Sequence, residues 1–289
     1  MNDLHKTIYA NASNRAQSLY LPLEPGGIGF AEVARFLENL PLEMQGRVFQ
    51  KNDLIRLQNP ALLGRYLDDR TRPFYLHHFL PLWVEAVKHL MAMQPHPKIL
   101  DLGCGTGQTS LLLALLGADV IGVDYDAELI SICNKRKLLY ESQRSGLRVN
   151  FSYENAFDMD IDSIAPLDGI YSLFAFNLMK PAAVIIPRLA KALRTGGRLM
   201  ISDGNQGSIW KLIPSRRRPG VLSPKQLVKV LQNNGFKILW LKTHCMFPPL
   251  FFRNPPAGGL ALIMGRALSR VPGHQYFCIS YTLVAEKIS

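Results

Sequence analysis

The residues best suited to chemistry cluster at Asp101-Leu102-Gly103-Cys104-Gly105-Thr106-Gly107. The apolar run Lys98–Leu102 before them reads as a short strand, and the Leu-rich stretch Thr109–Gly117 after them reads as a helix. A strand that ends in a glycine-rich turn and opens a helix can hold a ligand. Gly103 and Gly105 lack the Cβ that would keep a ligand off the backbone. The helix start offers unpaired N–H groups and a positive dipole end to a carboxylate. Asp124 closes the next strand, 21 residues beyond Gly103, and an acid at that place hydrogen-bonds ribose hydroxyls. The spacing departs from the dinucleotide fingerprint G-x-G-x-x-G. Here the third glycine is Gly107, and the position that the fingerprint reserves for glycine is Gln108.

A reaction that removes a proton needs a base within reach of it. Seven His are available. His77 and His78 are adjacent in a helical stretch, so they face different sides. His244 follows the sixth strand, and Asp203 the fifth. His244 and His78 are the base candidates, with Asp203 third; packing or solvation is the competing reading for each. No carboxylate cluster has a clear metal-ligand spacing. Asn254-Pro255-Pro256-Ala257 reads as a loop.

These groups must be held by regular elements. Gln94-Pro95-His96-Pro97 divides the chain. Before it, Phe30, Val33, Ala34, Leu37 and Leu40 form a helical stripe that stops at Pro41. A wider stripe, Leu76 to Met91, contains Pro81 and predicts two helices or a kink. After the break, strand and helix patterns alternate, with Ser223-Pro224 as the cap and first residue of a helix. The pattern predicts an α/β fold: a doubly wound, mostly parallel seven-stranded sheet with an antiparallel last strand. Residues 1–95 form a helical N-terminal cap on the substrate side. Residues 96–289 form the core, with an insertion at about 243–275 and no clear helix in it.

Asp101 followed by G-x-G-x-G resembles motif I of the class I S-adenosylmethionine-dependent methyltransferases. The resemblance continues in order through residues 97–286 and implies a Rossmann-like fold. It also implies S-adenosylmethionine as cofactor, leaving as S-adenosylhomocysteine. By position, it assigns Asp101, Gly103, Cys104, Gly105 and Gly107 to the loop around the methionine moiety. Asp124 would hold the ribose, and Tyr125 would lie beside the adenine. Asn155, followed by Ala156, stands where the family often has Asp facing the adenine amino group; its carbonyl can still accept. Ser172–Phe174 would end the fourth strand under the methyl group. Amino-methyltransferases of nucleic-acid bases carry N-P-P-aromatic after that strand, whereas this chain has Phe174-Ala175-Phe176-Asn177. Methyl transfer from a sulfonium is an in-line displacement, so the protein mainly supplies orientation and excludes water. The acceptor belongs beyond the strand ends, near residues 172–177 and 203–210.

Composition bounds the rest. The chain has 289 residues, of which 48% are hydrophobic and 19% charged, which excludes a disordered chain. Four Cys without short spacings give neither a disulfide framework nor a zinc pattern. The N-terminus lacks a signal-peptide layout, and no apolar run has the length of a membrane span. The expected location is cytoplasmic, with a peripheral membrane position open. The net charge of +11 lies in the last 84 residues, where 12 basic residues face one acid, Glu286. In the insertion, large aromatics and aliphatics mix with Arg253, Arg266 and Arg270, and Arg216, Arg217 and Arg218 lie upstream. Core packing with solvated arginines is one reading. An amphipathic or anionic acceptor, or anionic membrane-surface contact through 206–275, is another. Nucleic acid is a third. The combined expectation is methyl transfer to a small or lipid-like acceptor, anionic in one reading, on oxygen. The alternatives are an RNA-modifying methyltransferase and a non-catalytic S-adenosylmethionine-binding protein.

Overall fold

Apolar runs punctuated by Gly and Pro become the strands of a single sheet. The structure, a computed structural model, describes residues 19–22, 29–45, 48–59, 63–211, 221–244, 247, 251, 254–268 and 270–288. The strands are β1 (Lys98–Leu102), β2 (Asp119–Asp124), β3 (Val149–Tyr153), β4 (Leu167–Leu173), β5 (Leu193–Gly204), β6 (Phe236–His244) and β7 (Ser280–Lys287). Their order is β3-β2-β1-β4-β5-β7-β6. The pairings are parallel except those of β7, which runs antiparallel to both β5 and β6. The order reverses between β1 and β4, and a doubly wound sheet opens its ligand crevice at that switch point. The central strands are buried on both faces, which suits their nearly continuous apolar sequences.

Among the described residues, five helices precede the sheet: α1 (Phe30–Leu37), α2 (Asn39–Gln45), α3 (Lys51–Leu57), α4 (Gly64–Leu67) and α5 (Arg72–Met91). Pro81 was expected to give two helices or a kink; the structure has one continuous helix of 20 residues. An interior Pro costs about 3 kcal/mol. Burial of Leu82, Trp83, Val84, Val87 and Leu90, at about 1.5–3 kcal/mol for each large side chain, outweighs it. Pro41 likewise does not end the first helical stretch. α1 stops at Leu37, and Pro41 lies in the first turn of α2, where a missing N–H breaks no helical bond.

Within the sheet region the helices are α6 (Gln108–Leu115), α7 (Ala127–Glu141), α8 (Ile161–Ile164), α9 (Ala182–Ala192), α10 (Pro224–Asn233) and α11 (Pro255–Leu268). Ser223 caps α10 as its sequence requires. The insertion, expected to lack a helix, contains α11. Asn254-Pro255-Pro256-Ala257 is its start rather than a loop, since two prolines fit a first turn. Strand β5 begins at Leu193 and runs through Gly196 and Gly197. The last strand begins at Ser280, after a 3₁₀ turn at His274–Tyr276.

Two cores flank the sheet. One unites Val33 and Leu37 of α1, Trp83 and Val87 of α5, and Leu111–Leu115 of α6 with sheet residues Tyr171, Met200 and Val284. All eight residues of α6 are buried, because it lies between the sheet and the N-terminal helices. The other core joins Leu100 and Ile170 to Ile185, Leu189, Leu227 and Leu231. Among the described residues, no helix is long and apolar enough to cross a membrane.

Candidate active site

A cleft of about 1000 Å³ lies at the switch point, between the C-terminal ends of the central strands and helices α3 and α5. Asp101–Thr106, Asp124–Asp126 and Glu154–Phe157 line one part of it. Phe74, Tyr75, His78, Phe79, Trp83 and Phe174 are among the residues lining another.

The glycine loop folds back over β2: the N–H groups of Gly103 and Cys104 both donate to the Val123 carbonyl at 2.9 Å. Gly103 has φ 78°, and a Cβ there would stand 2.2 Å from the Ala175 Cβ. Gly105 has φ 56°, and a Cβ there would meet nothing within 4 Å. Its side faces open space, so its backbone is free to approach a ligand. Gly107 does not line the cleft. It caps α6, and a Cβ would press on Cys133 and Phe151 at 3.0 Å.

Two buried carboxylates face this loop. Asp124 accepts from the Gly105 N–H at 2.9 Å and from the Asp126 N–H at 3.1 Å. Burial raises its pKa, opposed by the Gly105 N–H. Asp101 is 2% exposed and accepts from the Ser110 hydroxyl at 2.6 Å. Burial pushes its carboxyl up to about 7; the Ser110 hydrogen bond opposes this, and the Asp124 charge reinforces it. A cationic amino acid group placed there would relieve the buried charge. The open side of Gly105, the acid after β2 and the buried Asp101 carboxylate fit S-adenosylmethionine. Cys104 also lines the cleft, with its thiol held well above its usual pKa by the Cys133 hydrogen bond and by burial. It is therefore a neutral thiol rather than a nucleophile.

Tyr125 is 69% exposed at the mouth, and Asn155 and Ala156 stand beside it. The Asn155 side-chain carbonyl accepts from the Phe157 N–H at 3.1 Å, which fixes the turn after β3. Ser172 does not reach the cleft. It is fully buried, and its hydroxyl donates to the Leu102 carbonyl at 2.8 Å, tying β4 to β1. The cleft begins at the following residues, Leu173 and Phe174.

The three base candidates separate. His78 lines the cleft, 6% exposed, with Nε2 2.8 Å from the Ser280 hydroxyl. That hydroxyl donates its one proton to the His244 carbonyl at 3.2 Å. In the tautomer that matches this bond, His78 Nε2–H donates to Ser280 and Nδ1 keeps its lone pair. Burial, with His244, His77 and Arg65 nearby, lowers the His78 pKa to about 3. His244 lies outside the cleft because β6 is the edge strand. Its Nε2 pairs with the Thr282 hydroxyl at 3.0 Å, and burial lowers its pKa to about 4. Asp203 lines the cleft, where it accepts from the N–H groups of Asn177 at 2.7 Å and Gly204 at 2.6 Å.

Sequence reasoning missed Arg136. It is fully buried on α7, with Nε 2.6 Å from Glu43 of α2, and donates to the Thr106 carbonyl and to Gln108 at 2.6 Å each. Its signal was its place on the buried stripe Leu129, Ile132, Arg136, Tyr140. Phe174 was missed as a conformation: it has φ 55°, unusual for a non-glycine residue.

Comparison with known proteins agrees with this geometry. Residues 94–235 match the family described as Methyltransferase domain. An O-methyltransferase of Pyrenophora dematioidea is 27% identical over 160 residues, 52% of this chain and 58% of that protein. A ubiquinone biosynthesis O-methyltransferase of Xanthomonas axonopodis pv. citri is 25% identical over 193 residues, 62% of this chain and 78% of that protein. The chain thus spans little more than half the length of the first of these relatives. The crystal structure of magnesium protoporphyrin IX methyltransferase from Synechocystis PCC 6803 with bound S-adenosylmethionine shares the fold. Its TM-score is 0.54 at 18% identity, over 84% of this chain and 99% of that one. The ordered glycine loop, the acid after β2, the sheet order and these matches identify residues 94–235 as a class I S-adenosylmethionine-dependent methyltransferase domain.

Proposed function

We propose that the chain transfers a methyl group from S-adenosylmethionine to an oxygen of a small or lipid-like acceptor held in the aromatic part of the cleft. One observation carries this reading: the glycine-loop pocket is continuous with a chamber walled by α5 and the end of β4. Its volume is at the upper end of the roughly 300–1000 Å³ typical of small-molecule sites, which leaves room for a second ligand. The Phe174 ring lies edge-on to His78 at 5.4 Å and against Phe79 at 5.2 Å. Backbone strain of this kind gathers at ligand-binding sites. The wall suits a planar or aliphatic acceptor. Arg65, Lys180 and Lys211 also line the cleft, which favours an acceptor with an anionic group. The O-methyltransferase names of the relatives support oxygen.

Bound S-adenosylmethionine supplies an activated methyl group. Asp101 and Asp124 would orient it, and the N-terminal helices, acting as a cap, would keep water from the acceptor end. His78, neutral and with Nδ1 free to accept, would orient the acceptor hydroxyl. Its depressed pKa makes it a weak base, so orientation is the larger contribution. Incubation with labelled S-adenosylmethionine and cell extract tests the reading. Label is expected in the small-molecule or lipid fraction; label confined to RNA would overturn it.

A further inference from the structure

Helix α11 is built inside out. Its inward positions are small: Gly258 and Ala261 are buried, with Gly265 half-buried beside Phe247. Four of its large side chains point to solvent: Leu260 is 58% exposed and Ile263 67%, with Met264 and Leu268 also exposed. Spacings of three and four residues put these four on one face. Among the described side chains of the helix, none that is exposed is charged. A surface helix normally shows the reverse pattern. The apolar face continues through Val271, Tyr276 and Phe277 after the helix. Three glycines in 14 residues leave the helix intrinsically weak, at about 1 kcal/mol each relative to Ala. Such a face needs a cover.

We infer that α11 is a docking face for the surface of an anionic lipid bilayer. Charge selects this occupant. Residues 206–289 hold 12 basic residues against one acid. Lys225 bonds the Tyr276 hydroxyl at 3.0 Å, at the edge of the apolar face, and Arg270 is exposed just past the helix. A second copy of the chain would bring two such basic regions together, whereas an anionic leaflet neutralises them. Each Lys or Arg held near an anionic leaflet strengthens binding about fivefold. The location links docking to the cleft. Ala261 packs with Phe74 and Ile279, both of which line the cleft. The docked helix thus sets the acceptor end of the cleft beside the bilayer, a delivery route that rests on the methyl-transfer reading; the docking itself does not.

Sedimentation of the full chain with vesicles, without methyl donor, tests the inference independently of that reaction. Retention is expected on phosphatidylcholine–phosphatidylglycerol vesicles and is expected to be weak on phosphatidylcholine alone. It should fall with added salt. Leu260→Ser with Ile263→Ser should reduce it about tenfold or more, and Lys225→Ala with Arg270→Ala by about fivefold per charge. All four residues are exposed, and an unchanged circular dichroism spectrum would confirm that each variant folds. Equal retention on both vesicle types, or retention indifferent to the Ser pair, would overturn the inference. So would a dimer of the free protein that the Ser pair dissociates, since the occupant would then be a second copy.

Discussion

Asp101 is the residue at which the cofactor site and the pH of the solution meet. Burial and the neighbouring Asp124 charge hold its carboxyl up to about 7 in the free protein. S-adenosylmethionine carries net positive charge, so its arrival favours the carboxylate and lowers that pKa. The complex then binds fewer protons than the free protein, and affinity must rise with pH until about 7 is passed. Below that point affinity should fall by up to about tenfold per pH unit. Titration calorimetry should show this slope. It should be largely absent in Asp101→Asn. The same slope in Asp101→Asn would assign the effect to Asp124. The glycines divide in the same residue-by-residue way. Gly105→Val projects a side chain into the cleft from a left-handed backbone, so cofactor affinity should drop by about 100-fold or more. In Gly103→Ala the new methyl collides with Ala175, and the loss should appear first in stability, at about 1–3 kcal/mol. Thermal melts beside calorimetry separate the two. The importance of Gly103 and Gly105 was legible in the sequence, but their different reasons were not. A neighbour such as Ala175, 72 positions away, is visible only after folding.

At the scale of elements, α7 and α2 are joined by a buried ion pair that also holds the glycine loop. Arg136 and Glu43 are both essentially unexposed, and the Tyr140 hydroxyl donates to Glu43 at 2.6 Å. Removing one partner of such a pair leaves a buried charge and costs about 3–5 kcal/mol. Arg136→Met should therefore destabilise by that amount in urea unfolding. It should also weaken cofactor binding, because the Thr106 carbonyl loses its donor. Adding Glu43→Leu should recover much of the stability but not the affinity. Additive losses would show that the two side chains act separately. The periodicity of α7 placed Arg136 on the buried stripe, while its partner lies 93 residues away. The alternation of strands and helices after residue 95 was plain because each parallel strand is a bounded apolar run. Less was legible where tertiary burial overrides local propensity. Pro81 reads as a breaker until the ten buried residues of α5 are counted against it. Helix α11 reads as loop because its Pro and Gly content hides a 14-residue helix. Ser172 sits one or two residues short of the cleft, and strand alternation turns it instead toward Leu102.

For the molecule as a whole, the question is whether the N-terminal helices and the sheet unfold together. The sequence divides at Gln94-Pro95-His96-Pro97, but one apolar core crosses that division, from Val33 and Trp83 to Tyr171 and Val284. The Trp83 indole donates to the Thr109 hydroxyl at 3.1 Å, so α5 is also tied by hydrogen bond to the helix that follows the glycine loop. Elements that share a core and a buried polar network should unfold in one transition. A ligand bound only by the folded form stabilises by RT ln(1 + [L]/Kd), about 2.7 kcal/mol at 100 times Kd. Although most of the residues proposed to face the cofactor belong to the sheet region, that stabilisation should therefore reach α1 and α5 in full. Hydrogen exchange with and without S-adenosylmethionine measures it segment by segment. The most protected amides of α5, β1 and α6 should slow by a common factor, about 100-fold at that ligand concentration. If α5 kept its exchange rate while β1 and α6 slowed, residues before the Pro-His-Pro break would be a separately unfolding unit. The cap would then respond to cofactor only through local contact across the cleft.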